Sequence, residues 1–74
     1  MDKTELAKLE AFLRRTFANS QIKVKPRVKK NDSAEVYIGE EYVGIIHLDD
    51  EDGDRSFNFT MAILDVDLDG GELA

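Results

Sequence analysis

The feature that most constrains this chain is a change in the spacing of its apolar residues near Ser20. Before that point, apolar residues recur every third or fourth position, as they do on one face of an amphipathic helix. After it, they alternate with polar residues, as they do in a half-buried β-strand. The sequence therefore predicts an α+β domain, with an N-terminal helix packed on a four-stranded antiparallel β-meander.

The helix is predicted over residues 3–18. Asp2 lies three residues before Glu5, as in a capping box, and Glu10 can pair with Arg14 one turn later. Asn19 is expected to end the helix, because asparagine tolerates the left-handed conformation. The apolar stripe of the helix is Leu6, Leu9, Leu13 and Phe17, with Phe12 on its flank.

Four strands are predicted, over 22–29, 34–39, 42–48 and 56–68. The turns between the first three are placed at Asn31-Asp32-Ser33 and at either Gly39-Glu40 or Glu40-Glu41. Pro26 cannot donate a ladder hydrogen bond, so the first strand is expected at a sheet edge. A break in alternation at Ile63-Leu64 predicts a bulge or bend in the fourth. The single domain is predicted to span 1–74, with a frayed tail over 70–74.

The predicted strands carry more apolar surface than one helix can cover. The core is expected to contain the helix stripe together with Phe57, Phe59, Met61 and Ile63. The apolar residues then left over are Val43, Ile45, Leu64, Val66 and Leu68. Either twisting and a bulge bring them into the same core, or they form an interface with a second copy or another protein.

The small size of the chain favours the second interpretation. A domain of 74 residues has a thin core, and the absence of cysteine excludes disulfides as a source of stability. Self-association is the remaining means of stabilisation. The leading hypothesis is therefore a non-enzymatic protein-interaction module that acts as a homodimer. No apolar run approaches the length of a membrane span, so a cytoplasmic protein without membrane contact is expected.

The charges are divided between the two halves of the chain. Residues 1–39 carry nine basic and five acidic side chains, whereas residues 40–74 carry one basic and eleven acidic ones. The basic side chains of the first predicted strand are Lys23, Lys25, Arg27 and Lys29. With Tyr37 on the next strand to stack a base, they suggest nucleic-acid binding as an alternative function. Pairing of this basic strip with acidic residues is the other interpretation.

The acidic loop 49–54 is a weak candidate for binding a divalent cation. Asp50, Asp52 and Asp54 could supply oxygen ligands. An EF-hand is excluded, because placing Gly53 at the sixth loop position puts Leu48 and Phe59 where acidic ligands are required. A solvated loop is the alternative interpretation.

No residue pattern in the sequence indicates catalysis. His47 and Asp49 lie two residues apart and can share a strand face, but the sequence gives them no adjoining nucleophile or pocket. The chain is therefore expected to be no enzyme, with no catalytic residue and no cofactor.

Three runs of the sequence resemble a family of short bacterial proteins. The runs are KLEAFLRRTF, SAEVYIGEEYVGII and DDEDGDRSFNFTMAILDVDL, and DDEDGDRSFNF is the most specific part. The family is a domain of unknown function common in alpha-proteobacteria, and the resemblance extends to about Leu68. It implies a free-standing cytoplasmic protein, and it supplies no activity, ligand or catalytic residue.

Overall fold

The computed structural model describes residues 1–51 and 53–69 and contains one long helix, one sheet and one short helix. The elements are α1 (Lys3–Thr16), β1 (Ile22–Arg27), β2 (Lys30–Ile38), β3 (Glu41–Asp49), β4 (Ser56–Thr60) and α2 (Asp65–Asp69). The sheet is antiparallel in the order β1-β2-β3-β4. The predicted α+β class and the meander are confirmed. The predicted tail, 70–74, lies outside the described residues.

Helix α1 begins as predicted and ends two residues early. The Asp2 carboxylate accepts a hydrogen bond from the Glu5 N–H at 2.8 Å, which caps the helix. At the other end the left-handed residue is Ala18, with φ +52°, and not Asn19. The N–H groups of Ala18 and Asn19 donate to the carbonyls of Arg15 and Arg14, which is the Schellman pattern. This geometry places a residue with a Cβ where glycine is preferred.

Ala18→Gly is therefore expected to raise the free energy of unfolding. The substitution removes the left-handed strain of an alanine, about 1–2 kcal/mol, and the greater freedom of glycine in the unfolded chain offsets about 0.4–1 kcal/mol of it. Urea denaturation measures the difference. Ala11→Gly, on the exposed side of the same helix, is the matched control and should cost about 1 kcal/mol instead. Equal destabilisation by both variants would contradict the cap geometry.

The first hairpin differs from the prediction. Strand β1 ends at Arg27 and β2 starts at Lys30, so the turn is Val28-Lys29 and not 31–33. Residues 31–33 form instead a bulge on β2, because Arg27 faces Lys30 whereas Pro26 already faces Ala34. The turn leaves Val28 97% exposed, although the predicted first strand over 22–29 included this valine.

The second hairpin resolves the alternative that the sequence left open. Ile38 faces Glu41, so the loop is Gly39-Glu40. Gly39 has φ +63°, and among residues 1–51 and 53–69 the other left-handed positions are Ala18 and Gly53. A positive φ at the first loop residue alone is typical of a type II′ turn.

A bulge in β3 changes which of its side chains share a face. Val36 faces Gly44 and Tyr37 faces Tyr42, which leaves Val43 as an extra residue. Val43 therefore packs against the core on the α1 side of the sheet, whereas regular alternation would have placed it on the opposite face with Ile45. The face turned away from α1 is called the open face below.

Strand β4 is much shorter than the predicted strand over 56–68. It ends at Thr60, and the chain continues as an irregular stretch and the short helix α2, whose described side chains are all exposed. Leu64 N–H donates to Asp67, whose own N–H donates to the Leu64 carbonyl, so local bonds stabilise this turn of helix. Residues 61–69 are called the C-terminal segment below.

The buried core lies between α1 and the first three strands. Its members are Leu13, Ile22, Val24, Ala34, Val36 and Ile46. Phe57 and Phe59 pack against it and are half-buried. The predicted core positions of Phe17, Met61 and Ile63 are wrong, since each of these side chains is exposed.

Candidate functional site

An apolar groove runs between α1 and β4 on the helix side of the sheet. It is called the α1–β4 groove, and its lining residues are Leu9, Phe12, Leu13, Ile46, Phe57 and Phe59. A second depression, which shares Leu13 and Phe59, continues it toward Phe17 and Met61. Phe12 is 51% exposed, although it is a large aromatic side chain. Contiguous exposed apolar surface of this kind is typical of an interaction site.

The groove exists because α1 is held at the β1 edge of the sheet, away from β4. The Glu10 carboxylate accepts a hydrogen bond from the Val24 N–H at 2.9 Å, and Arg14 Nε donates to the Ile22 carbonyl at 2.7 Å. Glu10 and Arg14 also pair with each other at 3.4 Å. These contacts hold the helix beside β1, so it does not cover β4.

The two sheet edges consequently have different surroundings. At the β1 edge, Glu10 and Arg14 occupy backbone groups that a neighbouring strand would otherwise use, and Pro26 offers no N–H. At the β4 edge, no strand of the described residues pairs on the outer side. The sequence of β4, SFNFT, contains no lysine or proline, which commonly protect exposed edges. The β4 edge is thus available for pairing and adjoins the groove.

Gly44 sets the depth of the groove floor. A Cβ at this position would lie 2.5 Å from the Thr60 carbonyl oxygen and 2.7 Å from Cε1 of the Phe59 ring. The missing side chain therefore allows the Phe59 ring to lie close against β3. Because the glycine is buried and faces Val36, this contact belongs to the helix side of the sheet.

A cluster of aromatic and charged side chains lies on the open face. Lys25 Nζ is 4.5 Å from the centroid of the Tyr37 ring, and Tyr37 meets Tyr42 edge to face at 5.7 Å. The Tyr37 hydroxyl donates to Glu35 Oε1 at 3.0 Å. Lys25 faces Glu35 across the strands, so opposite charges occupy directly opposed positions, which is favourable in a sheet.

The hydrogen bond to the Glu35 carboxylate raises the pKa of Tyr37, and partial desolvation adds to the shift. Because the pKa of Tyr37 is higher in the folded than in the unfolded chain, the protonated phenol stabilises the fold. This stabilisation is fully present below the ordinary tyrosine pKa of 10.0 and is lost as the pH rises through the raised pKa. We expect Glu35→Gln to return the pKa of Tyr37 toward 10.0. Phenolate absorbance in a Tyr42→Phe background measures it. An unchanged titration curve would show that the Glu35 contact is absent in solution.

The structure separates the predicted basic strip. Lys23 and Lys25 are exposed and lie opposite Tyr37 and Glu35 on the open face. Arg27, which is half-buried, donates to Ser33 Oγ at 3.2 Å, and Lys29 belongs to the hairpin turn. Of the four basic residues in the predicted strip, Lys23 and Lys25 are therefore the two that lie near Tyr37, as a nucleic-acid site would require.

The acidic loop shows no ligand cluster in its described part. In residues 1–51 and 53–69, no three His, Cys, Asp or Glu side chains come together as a metal-binding group. Asp50 and Asp54 are exposed, and Asp52 lies outside the described residues. His47 and Asp49 line one shallow depression with Asn58, but no hydrogen bond joins His47 to Asp49 in the part of the chain that is described.

The other candidate interaction residues fall into two groups. Val43 and Ile45 are half-buried on opposite sides of β3, so they form no common surface. Leu64 and Val66 are 58% and 68% exposed in the C-terminal segment. Sequence reasoning missed the groove, although Phe12 on the flank of the helical stripe was a signal for it.

None of the helices in the described ranges is long and apolar enough to cross a bilayer.

Comparison with known proteins identifies a family. A family model described as "Protein of unknown function (DUF3126)" matches residues 5–67, which is most of the chain and includes all four strands and α1 from Glu5 onward. No curated protein and no solved structure matches the chain. The bacterial origin that the resemblance implies stays a prediction. The chain belongs to the DUF3126 family of proteins of unknown function.

Proposed function

We propose that the chain is a non-enzymatic, cytoplasmic interaction module that forms a homodimer through the β4 edge and the α1–β4 groove. The observation that carries the proposal is the difference between the two sheet edges. The β1 edge is covered by Glu10 and Arg14, whereas no strand within residues 1–51 and 53–69 pairs on the outer side of β4, which adjoins an apolar groove. Exposed strand edges are templates for pairing with another strand.

Antiparallel pairing of two β4 strands about Asn58 supports this arrangement. The two-fold axis would run perpendicular to the sheet, so both copies of α1 would lie on the same side. Phe57 of one copy would then lie beside the partner's Phe59, and cross-strand aromatic pairs stabilise sheets. The two grooves would join into one apolar valley between the helices.

The charges and polarity of β4 also support edge pairing. On the open face, its side chains are Ser56, Asn58 and Thr60, which carry no charge. Pairing would therefore bring no like charges together across the axis. Association would also add stability to a small domain by mass action.

Lysine at position 58 is expected to weaken the dimer. Asn58→Lys would place two ammonium groups across the two-fold axis, where like charges are unfavourable by about 1 kcal/mol, so the dissociation constant should rise about fivefold. Sedimentation equilibrium measures the constant, and circular dichroism checks the fold. Asn58→Thr, an uncharged strand-forming residue, is the control. The same constant for both variants would show that the interface lies elsewhere.

Nucleic-acid binding on the open face is the second candidate function. The observation that favours it is the position of Lys25 over Tyr37, with Tyr42 alongside, which combines a positive charge with aromatic rings. The Glu35 carboxylate and the formal charge of −6 oppose it. We therefore place it second.

A salt titration separates this candidate from self-association. If the open face contacts phosphates, binding to mixed-sequence oligonucleotides should weaken steeply with salt, and Lys23→Glu/Lys25→Glu should abolish it. Lys29→Glu, at the hairpin turn, should have a smaller effect. An absence of binding at low salt would remove this candidate and leave the homodimer untouched.

A further inference from the structure

We propose that an extended peptide of a partner protein, with alternating basic and apolar side chains, binds as an added strand along the first residues of β3. The inference goes beyond the proposed homodimer, because the site lies within one chain. Strand β4 pairs with β3 from Ile45 to Asp49, and Thr60 is its last residue, beside Ile45. The four preceding residues, Glu41–Gly44, lie beside β2 and have no strand on their other side within residues 1–51 and 53–69. These four residues are called the β3 edge below.

A cleft separates the β3 edge from the C-terminal segment of the same chain. It consists of two depressions of about 710 and 460 Å³, volumes that are typical of ligand sites. The residues that line both depressions are Glu41, Tyr42, Val43, Met61, Ala62 and Asp67. Tyr42 lies on the open face and Val43 on the helix side, so the cleft lies at the edge of the sheet and not on one of its faces. An occupant of the cleft would therefore contact the backbone of β3.

The backbone of the β3 edge favours an extended peptide as the occupant. Strand edges without a partner present N–H and C=O groups, and extended peptides bind to them through main-chain hydrogen bonds. The sequence of this edge, EYVG, contains no lysine or proline to protect it. The chain's own segment does not fill the place. Met61 is still beside Gly44, where an added Cβ would lie 3.0 Å from the Met61 Cβ, but the chain then leaves the sheet and forms α2.

The C-terminal segment supplies an apolar wall opposite the β3 edge. Ile63, Val66 and Leu68 line the larger depression, and Leu64 lines the smaller one. These four side chains are between 58% and 68% exposed. The apolar side chains of a bound peptide would cover them without any change in α2, because the wall is formed by the segment in its helical conformation. Every second residue of the peptide is therefore expected to be apolar, since alternate side chains of a strand point to one side.

The charges of the cleft favour basic residues at the other positions of the peptide. Glu41 on β3 and Asp67 on α2 line both depressions, and neither forms an ion pair in the described part of the chain. The Asp67 carboxylate is held in place by the Leu64 N–H, which donates to it at 2.9 Å. Residues 40–69 carry one basic side chain, Arg55, which pairs with Glu5 on α1. The cleft is thus acidic, and it would attract a basic peptide and repel a nucleic acid.

Titration of the ¹⁵N-labelled chain with the peptide acetyl-Arg-Val-Arg-Val-Arg-Val-amide tests the inference. We expect the amide shifts of residues 41–44 and 61–68 to change. N-methylation of the three arginines and N-methylation of the three valines should then have unequal effects, because only one alternate set of peptide amides faces β3. One of these two peptides should bind at least tenfold more weakly than the parent. Equal effects of the two methylations, shift changes confined to the acidic loop 49–54, or an absence of binding would each overturn the inference. None of these outcomes bears on the homodimer.

Removal of the two carboxylates gives a second test. Glu41→Gln/Asp67→Asn should raise the dissociation constant of the unmethylated peptide about fivefold, as expected for the loss of two exposed ion pairs. The asparagine can still accept the hydrogen bond from Leu64, so α2 is expected to persist. Asp49→Asn/Glu51→Gln is the matched control, because it removes two carboxylates at the other end of β3 and should leave the constant unchanged. Equal constants for the two double variants would contradict a peptide held between Glu41 and Asp67.

Discussion

Gly44→Ala is expected to lower the free energy of unfolding by about 2–3 kcal/mol, the cost of forcing an extra methyl into a packed site. The added Cβ would lie 2.5 Å from the Thr60 carbonyl oxygen, which is backbone and cannot rotate away. It would also lie 2.7 Å from the Phe59 ring. Strands β3 and β4 would have to separate, and chemical denaturation measures the loss.

Gly39→Ala is the matched control for this substitution. Gly39 has φ +63° but no heavy atom within 4 Å of the added Cβ, so it tests conformational strain without a clash. We expect it to cost about 1 kcal/mol, the energy of an alanine in the left-handed region. A Gly44→Ala variant no less stable than Gly39→Ala would show that β4 does not lie against β3 as described.

A double-mutant cycle identifies which contact causes the loss. Phe59→Leu removes the ring atom that Gly44 accommodates, so its combination with Gly44→Ala should cost less than the sum of the two single variants. A strictly additive result would assign the whole effect to the Thr60 carbonyl. Because Phe59 also lines the α1–β4 groove, Gly44→Ala should weaken self-association as well.

Phe12→Ala is expected to raise the dissociation constant of the homodimer about 30-fold, since buried aromatic residues at interfaces often contribute about 2 kcal/mol or more. Phe12 is 51% exposed in the single chain, so its removal should change the stability of the monomer much less. Sedimentation equilibrium gives the constant, and urea denaturation at low concentration gives the stability of the monomer.

Tyr42→Ala is the control for the loss of Phe12. Tyr42 is 53% exposed, almost the same as Phe12, but it contacts Tyr37 on the open face, away from the groove. Its removal should leave the dissociation constant unchanged. If the Tyr42 variant weakened the dimer as much as the Phe12 variant, the interface would involve the open face instead.

Local rules were sufficient to predict much of the fold. The cap formed by Asp2, the alternation that begins at Ile22 and a turn near Gly39 each depend on residues close together in the chain. The class, the strand order and the edge position of Pro26 follow from them. Each of these features is confirmed in the structure.

Contacts between distant residues account for the errors. The bulge that moves Val43 to the helix side lies next to Gly44. A side chain at Gly44 would collide with the Phe59 ring, which belongs to another strand. The turn at Val28-Lys29 contains none of the usual turn residues, so it gave no local signal. Alternation over 64–68 suggested a strand, but β4 ends at Thr60 and no described strand pairs with that stretch.

The exposed flank of α1 carried a signal in Phe12, but the position of the groove could not be predicted, for a related reason. Whether Phe12 lies over the sheet or beside it depends on the lateral position of α1. That position is set by bonds from Glu10 and Arg14 to the backbone of β1, and backbone partners of side chains leave no pattern in the sequence. The surplus of apolar surface that the sequence indicated lies mainly beside α1 and in the C-terminal segment, whereas Tyr42 and Ile45 are the apolar side chains of β3 on the open face.

Sedimentation equilibrium of the unmodified chain, from micromolar to millimolar concentration, tests whether the β4 edge and the adjoining groove pair two copies. For the proposed homodimer, we expect the mean mass to rise from that of the 8.4 kDa chain to twice that value and then to stay constant, because a two-fold interface closes on itself. A mass of 8.4 kDa over the whole range would contradict it.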